Sequence, residues 1–410
     1  MTRTPPQYPK VLSDRAIAAL TAGMAALGLV TLGVLFAVAS TGPPEKRTEL
    51  RMEAIKYGLG VAASGGALAA LLLAVRRQRL AEHAHALAEQ AQRHIEADAA
   101  ERRVTELYAK SVEQLGSDSA AVRLGGLYAL ERVADNNPAQ RQTVVDVLCA
   151  YLRMPYAVPD ESVLHHLSRP VGPKRYERAP DDWKPSAPLQ PEQWAARNEL
   201  EVRVTAQRIL AAHLSNRPAG ALSGFWAGMD LDLTGATLIH FDLSHGHAAT
   251  VCFDGAVFEG WARFSDAVFD GTVSFRDAVF RQQASFGKTR FGDEAYFYHA
   301  RFCGGAAFSG TTFTGHVGFA MATFDRRAAF DDTRFATAGF GQAEFRANAE
   351  FNGATLAGDV TFAKTTFAVE PRLDQIRVVL YGSRRDVWPP GWQVVPDPGN
   401  PTLGRPARTT

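Results

Sequence analysis

The chain reads as an α+β multidomain protein: a two-span membrane helical hairpin, an α-helical middle region, and a C-terminal solenoid of four-sided β-coils. Three observations carry this reading. Two long apolar segments lie within the first 75 residues. A charged stretch without proline and several amphipathic helical patterns follow them. Finally, 21 of the 24 phenylalanines fall in one register between Phe253 and Phe367.

After an N-terminal segment, residues 1–15, the first span covers Ala16–Ser40, 25 residues without a charge. At 1.5 Å per residue it reaches ~37 Å, more than a ~30 Å hydrocarbon core. The second, Tyr57–Val75, has 19 residues and is rich in glycine and alanine. Pro43 and Pro44 mark the loop between them. Two readings compete with a membrane hairpin. A pair of buried core helices would carry an uncharged run of unusual length. A signal peptide cleaved near Ala37 and Ala39 would have too long an apolar region, and a second span follows it. Arg3, Lys10 and Arg15 precede the first span and Arg76, Arg77 and Arg79 follow the second. Against Lys46, Arg47, Arg51 and Lys56 in the loop, this balance places both termini in the cytoplasm. Gly60 with Ser64, and Ala62 with Gly66, are small residues four apart, a spacing that allows homo-oligomer contacts through the spans.

Residues 76–116 are rich in Ala, Glu, Gln and Arg and predict a helical stalk, as one helix or two. Leu80 and Leu87 begin a heptad that His94 and Glu101 abandon, so a solvated stalk is expected rather than a coiled coil. Residues 117–218 predict a helical domain. Ser117–Ser119 can cap its first helix, Asn136–Pro138 end it, a second helix covers Arg141–Leu152, and another Glu192–Leu214. A proline-dense insertion, 155–191, separates the last two. "AVRLGGLYALERVADNNP" and "EVRVTAQRILAAHLSNRP" align in register and resemble the inner helix of HEAT-like repeats. Two ordinary amphipathic helices explain the pair equally well.

The phenylalanine register advances by alternating steps of five and six: 253, 258, 264, 269, 275, 280 and onward, with Leu356 the one substitute. Leu233, Leu238, Leu243 and Ala248 extend it upstream in fives. Two residues before each large side chain stands a small or β-branched one, from Ala256 and Ala262 to Thr333 and Ala343. Residues two apart share a face of an extended segment. Short segments with both registers inward must turn after each one, and four turns close a coil. Stacked coils then place Phe264, Phe286, Phe308, Phe330 and Phe351 in one ladder. The step from Phe335 to Phe340 is five where six is due, so a flattened corner is expected at residues 336–339.

This pattern resembles the pentapeptide-repeat family. "DLTGATLIHFDLSHGHA" matches in fives, and the remainder matches the phenylalanine-rich, eleven-residue variant. The resemblance covers residues 229–367 and implies a right-handed quadrilateral β-helix. The whole layout is similar to bacterial membrane-associated pentapeptide-repeat proteins. The open ends need covers. Residues 223–230 are expected over the first coil and a C-terminal cap, 368–396, over the last, with 397–410 disordered.

The charges exclude little beyond a strongly basic nucleic-acid binder: 44 Lys and Arg against 43 Asp and Glu. Cys149, Cys252 and Cys303 are isolated and show neither a disulfide nor a zinc pattern. "FGKT" at Phe286–Thr289 echoes a phosphate loop, but two of its residues belong to the inward registers. His240 and His245 fall on successive walls, so the cluster they form with His247 is not expected to hold a metal. His165 and His166 have no evident partner in sequence. Arg384 and Arg385 invite an anion, or simply solvate a cap. No nucleophile with a base and no carboxylate pair emerges, so no catalytic residue, cofactor or metal is assigned. The expected function is a non-enzymatic, membrane-anchored scaffold with an unnamed protein partner. The alternative, taken from the resemblance, is a DNA mimic acting on a topoisomerase. Residues 229–367 hold 16 acidic and 11 basic residues, a modest acidity for such mimicry, and nucleic acid itself is not an expected partner. Any binding must then use residues between the rings, such as Ser265, Asp266, Asp270, Arg276 and Asp277.

Overall fold

The computed structural model describes residues 14–41, 43–158, 191–215, 224–380, 382 and 384–409. Residues 1–13 and most of the expected insertion at 155–191, including His165 and His166, lie outside the described residues. The chain divides into two compact units, Met1–Arg103 and Val104–Thr410.

In the first unit, helix α1 covers Asp14–Ser40. A single 3-10 turn at Pro44–Lys46 leads into helix α2, Arg47–Leu115. The expected loop, second span and stalk therefore merge into one helix of 69 residues. It contains no proline, and two of its glycines face α1. A Cβ at Gly58 would come within 2.5 Å of Leu32 Cδ1, and one at Gly65 within 3.3 Å of Met24 Cβ. Gly28 lies against Ala62 in the same antiparallel sense. Glycine costs about 1 kcal/mol of helix propensity per site, and close approach of the two backbones is what it provides in return. Gly60 and Gly66 face open space, whereas Ala62, also one of the small residues noted in the sequence, meets Gly28 within the α1–α2 contact. Both helices are long and apolar enough to cross a membrane. Their outward leucines, among them Leu29, Leu59 and Leu71, are exposed.

The second unit begins with the last turns of α2, from Val104, and continues in three packed helices, α3 (Ala120–Asn136), α4 (Arg141–Arg153) and α5 (Pro191–Leu214). Leu127, Leu130, Val144, Leu148, Val202 and Leu210 form their shared core. Ser119 occupies the N-cap position of α3 without a side-chain cap; its carbonyl accepts from Val122 and Arg123 instead.

From Leu231 onward the chain winds into coils joined by parallel pairing, as in Phe258 with Phe280 and Phe302 with Phe324. Four walls follow, each marked by a ladder of stacked rings. The first runs through Phe253, Phe275 and Phe297 to Phe362, the second through Phe258 and Phe280 to Phe367. The third is the expected ladder of Phe264, Phe286, Phe308, Phe330 and Phe351. The fourth joins Phe269, Phe291, Phe313 and Phe335. Neighbouring rings within these walls are 4.5 Å apart at Phe258–Phe280 and 5.5 Å at Phe313–Phe335. Rings of the first and third walls meet edge to face, as Phe275 does with Phe286 at 5.6 Å. Offset and edge-on contacts of this kind add to the area the rings bury. The small register is buried beside them. Where it carries a hydroxyl, the hydroxyl is satisfied: Thr289, Thr311 and Thr333 donate to the carbonyls of Phe264, Phe286 and Phe308 at 2.6, 2.6 and 2.8 Å.

The alternation of five and six has a backbone cause. After the first and third walls the corner is a tight turn, closed by bonds such as Thr289 N–H to Phe286 O at 3.0 Å. Its third residue is left-handed, as at Asp277 (φ 56°), Lys288 (φ 59°) and His299 (φ 57°). The other two corners lack this turn and use one residue more. At residues 334–339 that extra residue is missing, and the chain runs straight through the corner as a single strand. Its partner strand, Thr312–Gly318, absorbs the difference as an irregular register between Phe313 and His316.

Both ends are covered, though not as the sequence suggested. Helices α4 and α5 pack on the first coil. The buried Gln207 amide donates to Ile239 O at 2.7 Å and accepts from Ile239 N at 2.9 Å, acting as one more rung of the edge. Gln142 makes the same pair of bonds with Asp230. Of the octapeptide expected there, Trp226 is the plug: it is fully buried, stacked 3.9 Å from His213, and donates to Asp135. At the far end the coil register continues past Phe367 through Leu373, Ile376 and Val378. The tail expected to be disordered forms a strand, Asn400–Arg408, antiparallel to Trp392–Asp397 and to Arg377–Val379. It satisfies the backbone groups that the last coil would otherwise leave open. Arg384 ties this end together. It donates to Val379 O (2.9 Å), to Ala357 O (3.3 Å) and to both Asp386 oxygens (2.7 and 2.9 Å).

Phe297 is buried and stacked on both sides, so Phe297→Ala should cost about 3–5 kcal/mol in denaturant unfolding. Asp277→Gly, at a left-handed exposed corner, should cost nothing or stabilise slightly. Equal losses at both sites would contradict this division of labour.

Candidate interaction surface

With the interior filled by rings and small residues, what the solenoid offers to a partner is its outward side chains. Those flank each ring, one residue before and one after. On three walls the arginines among them are tied to acids on adjacent coils. Arg263 reaches Asp242 (3.6 Å), Arg276 reaches Asp254 (3.9 Å), Arg281 reaches Glu259 (3.5 Å), and Arg301 and Arg346 share Asp325 (3.1 and 2.9 Å). Glu350, almost fully buried, lies between Arg327 and Arg372. These pairs are mostly exposed and are worth little singly, but they neutralise their walls.

The fourth wall differs. Its strands place Arg290, Thr312, Arg334, Thr355 and Arg377 side by side in one cross-strand row. The antiparallel register that pairs Val378 with Gly404 brings Arg405 next to Arg377. All four arginines are exposed, and none makes an ion pair among the described residues. The parallel row beside them is Gly292, Thr314, Ala336, Ala357 and Val379, small and uncharged. One acid, Asp270, stands in that second row next to Gly292 and is paired with His247; the others lie at the rims, at Asp293, Glu294, Asp332, Asp359 and Asp374.

The residues singled out from the sequence are not brought together. Ser265 hydrogen-bonds Ser285 on the third wall (2.9 Å). Asp266 and Asp277 are left-handed corner residues. Asp270 holds His247 at 2.6 Å, and Arg276 lies over the Tyr296 ring at 4.4 Å. The phosphate-loop echo is core: Phe286 and Thr289 are fully buried. Arg384 is committed to carbonyls and Asp386, not to an anion. Among the described residues, no group of three or more His, Cys, Asp or Glu is placed to hold a metal ion. The arginine row was missed because outward positions repeat only once per coil, a longer period than the one that reveals the rings.

Residues 253–301 and 275–322 match the family model described as pentapeptide repeats (9 copies). The ladder of coils is a pentapeptide-repeat solenoid. No curated protein and no solved structure matches the chain. The pentapeptide-repeat fold is a non-enzymatic framework, and the right-handed β-helix expected from the resemblance is the one present.

The three cysteines are free. Burial pushes the Cys149 thiol up to about 12, so it carries no thiolate at neutral pH. Cys252 and Cys303 are half-buried on the walls. Iodoacetamide should therefore modify Cys252 and Cys303 in the native protein and Cys149 only after unfolding, as read by peptide mass spectrometry. Native labelling of Cys149 would mean that the helical cap opens.

Proposed function

We propose that the chain is a membrane-anchored, non-enzymatic scaffold whose pentapeptide-repeat solenoid is a protein-interaction surface in the cytoplasm. The observation that carries this reading is the contrast between a sealed interior and a charged exterior. Every ring of the ladders but the last, Phe367, is buried, both ends are covered, and one wall presents unpaired cations. The two apolar helices support the anchor, and the cations flanking them support cytoplasmic ends. DNA mimicry needs a continuous acidic surface. Ion pairs interrupt the acids on three walls and the fourth is basic, which favours the scaffold.

The coil register allows a clean test. Excising residues 276–319 joins Phe275 to Ala320, removes two whole coils and leaves both end covers intact. Cross-linked partners recovered from solubilised membranes with the full chain should be lost or reduced with the shortened one. Unchanged capture would remove the solenoid as the binding surface. A reporter fused after Thr410 should read as cytoplasmic, and an extracytoplasmic signal would overturn the topology.

A further inference from the structure

We propose that the arginine row of the fourth wall docks an acidic helix of a partner protein, one carrying carboxylates at seven-residue intervals. This rests on the scaffold reading and names the chemistry of the partner. Four observations support it. First, Arg290, Arg334, Arg377 and Arg405 lack acidic partners, while the arginines that directly flank a ring on the other walls have them. Second, Arg377 and Arg405 stand side by side on neighbouring strands, where like charges destabilise a sheet unless a counter-charge is supplied.

Third, the spacing is specific. Strands lie ~4.8 Å apart, so arginines on alternate strands recur every ~9.6 Å. Carboxylates seven residues apart on a helix recur every ~10.5 Å. Over two intervals the mismatch is about 2 Å, within the play of a flexible guanidinium arm. Each guanidinium can then meet a carboxylate with two parallel hydrogen bonds. Thr312 and Thr355 put hydroxyls between the cations, and Gly292, Ala336 and Ala357 keep the strip beside them flat enough for a helix to lie across the strands.

Fourth, the rims select against other polyanions. Asp293, Glu294, Asp332, Asp359 and Asp374 border the row, where a broad anionic lipid surface or a wrapping nucleic-acid strand would meet them, whereas a helix lying along the row keeps its carboxylates between the two rims. The row itself also offers no aromatic side chain on which an unpaired base could stack.

The test uses the full chain in detergent micelles and fluorescein-labelled helical peptides at about 0.05 M salt, where screening is weak. One peptide carries Glu at every seventh position, a second Gln at the same positions, and a third Lys. The Glu peptide should bind, and the Gln peptide should bind about tenfold more weakly, the sum expected of three exposed ion pairs. Combining Arg290→Gln, Arg334→Gln and Arg377→Gln should weaken the Glu peptide by a similar factor without lowering Tm. Arg334→Gln alone should weaken it by less. The triple change to Glu should transfer binding to the Lys peptide. Equal affinity for the Glu and Gln peptides would overturn the proposal. So would tighter binding of a single-stranded oligonucleotide or of phosphatidylserine vesicles than of the Glu peptide. If excising two coils abolishes partner capture while the arginine changes leave peptide binding intact, the scaffold stands and this site falls.

Discussion

The constraint on which the solenoid depends is the stacking of one phenylalanine on the next at the rise between coils. Rings 4.5–5.5 Å apart fill a channel whose width is set by four short walls. Two rings cannot share one level with equally large neighbours, so the position two residues earlier must be small. That one rule produces the Ala, Val and Thr register and excludes water. It also explains why the buried threonines of that register return a hydrogen bond to the carbonyl of a ring residue. Phe241 shows the rule relaxing at an end. It occupies a small-residue position in the first coil, where no coil lies above and the helices leave room.

From the filled interior follows everything a partner can meet. Turn chemistry at two corners needs a left-handed residue, and Asp, Lys, His, Met and Gln all serve there besides glycine. Exposed corners are therefore free to vary in charge. The flats are free as well, and the distribution of ion pairs over them gives each wall its own character. Three are neutralised from within, and one is left as a row of cations separated by threonine.

How much of this was legible from the sequence depends on the period involved. The large and small registers repeat every five or six residues and predict the coil, its ladders and the straightened corner after Phe335. The arginines of the row recur only on every second coil, at 290, 334 and 377, and the missing residue after Phe335 shifts their phase by one. A reader following the rings looks past them. The end covers have no period at all. Gln207 and Trp226 act through partners 32 residues ahead and 91 residues behind in the chain, so nothing local marks them. The strand at 400–408 looked disordered for a similar reason. Its prolines argue against a strand, and only the open edge it meets makes one favourable. In the first unit, composition was enough to find apolar helices, but not that α2 would begin directly after the turn.

The Gln207 rung has a consequence for the order of events in folding. Parallel sheets are commonly slow to form because their pairings join distant parts of a chain. Here each strand pairs with one a single coil away, and the first coil meets a helical template already synthesised. Assembly can thus advance turn by turn as the polypeptide lengthens, always ending in one raw, apolar face. The antiparallel hairpin at 392–408 closes that face only after the last turn is laid down. Damage to the hairpin should therefore show itself less as lost stability of the finished rod than as nascent rods joining end to end.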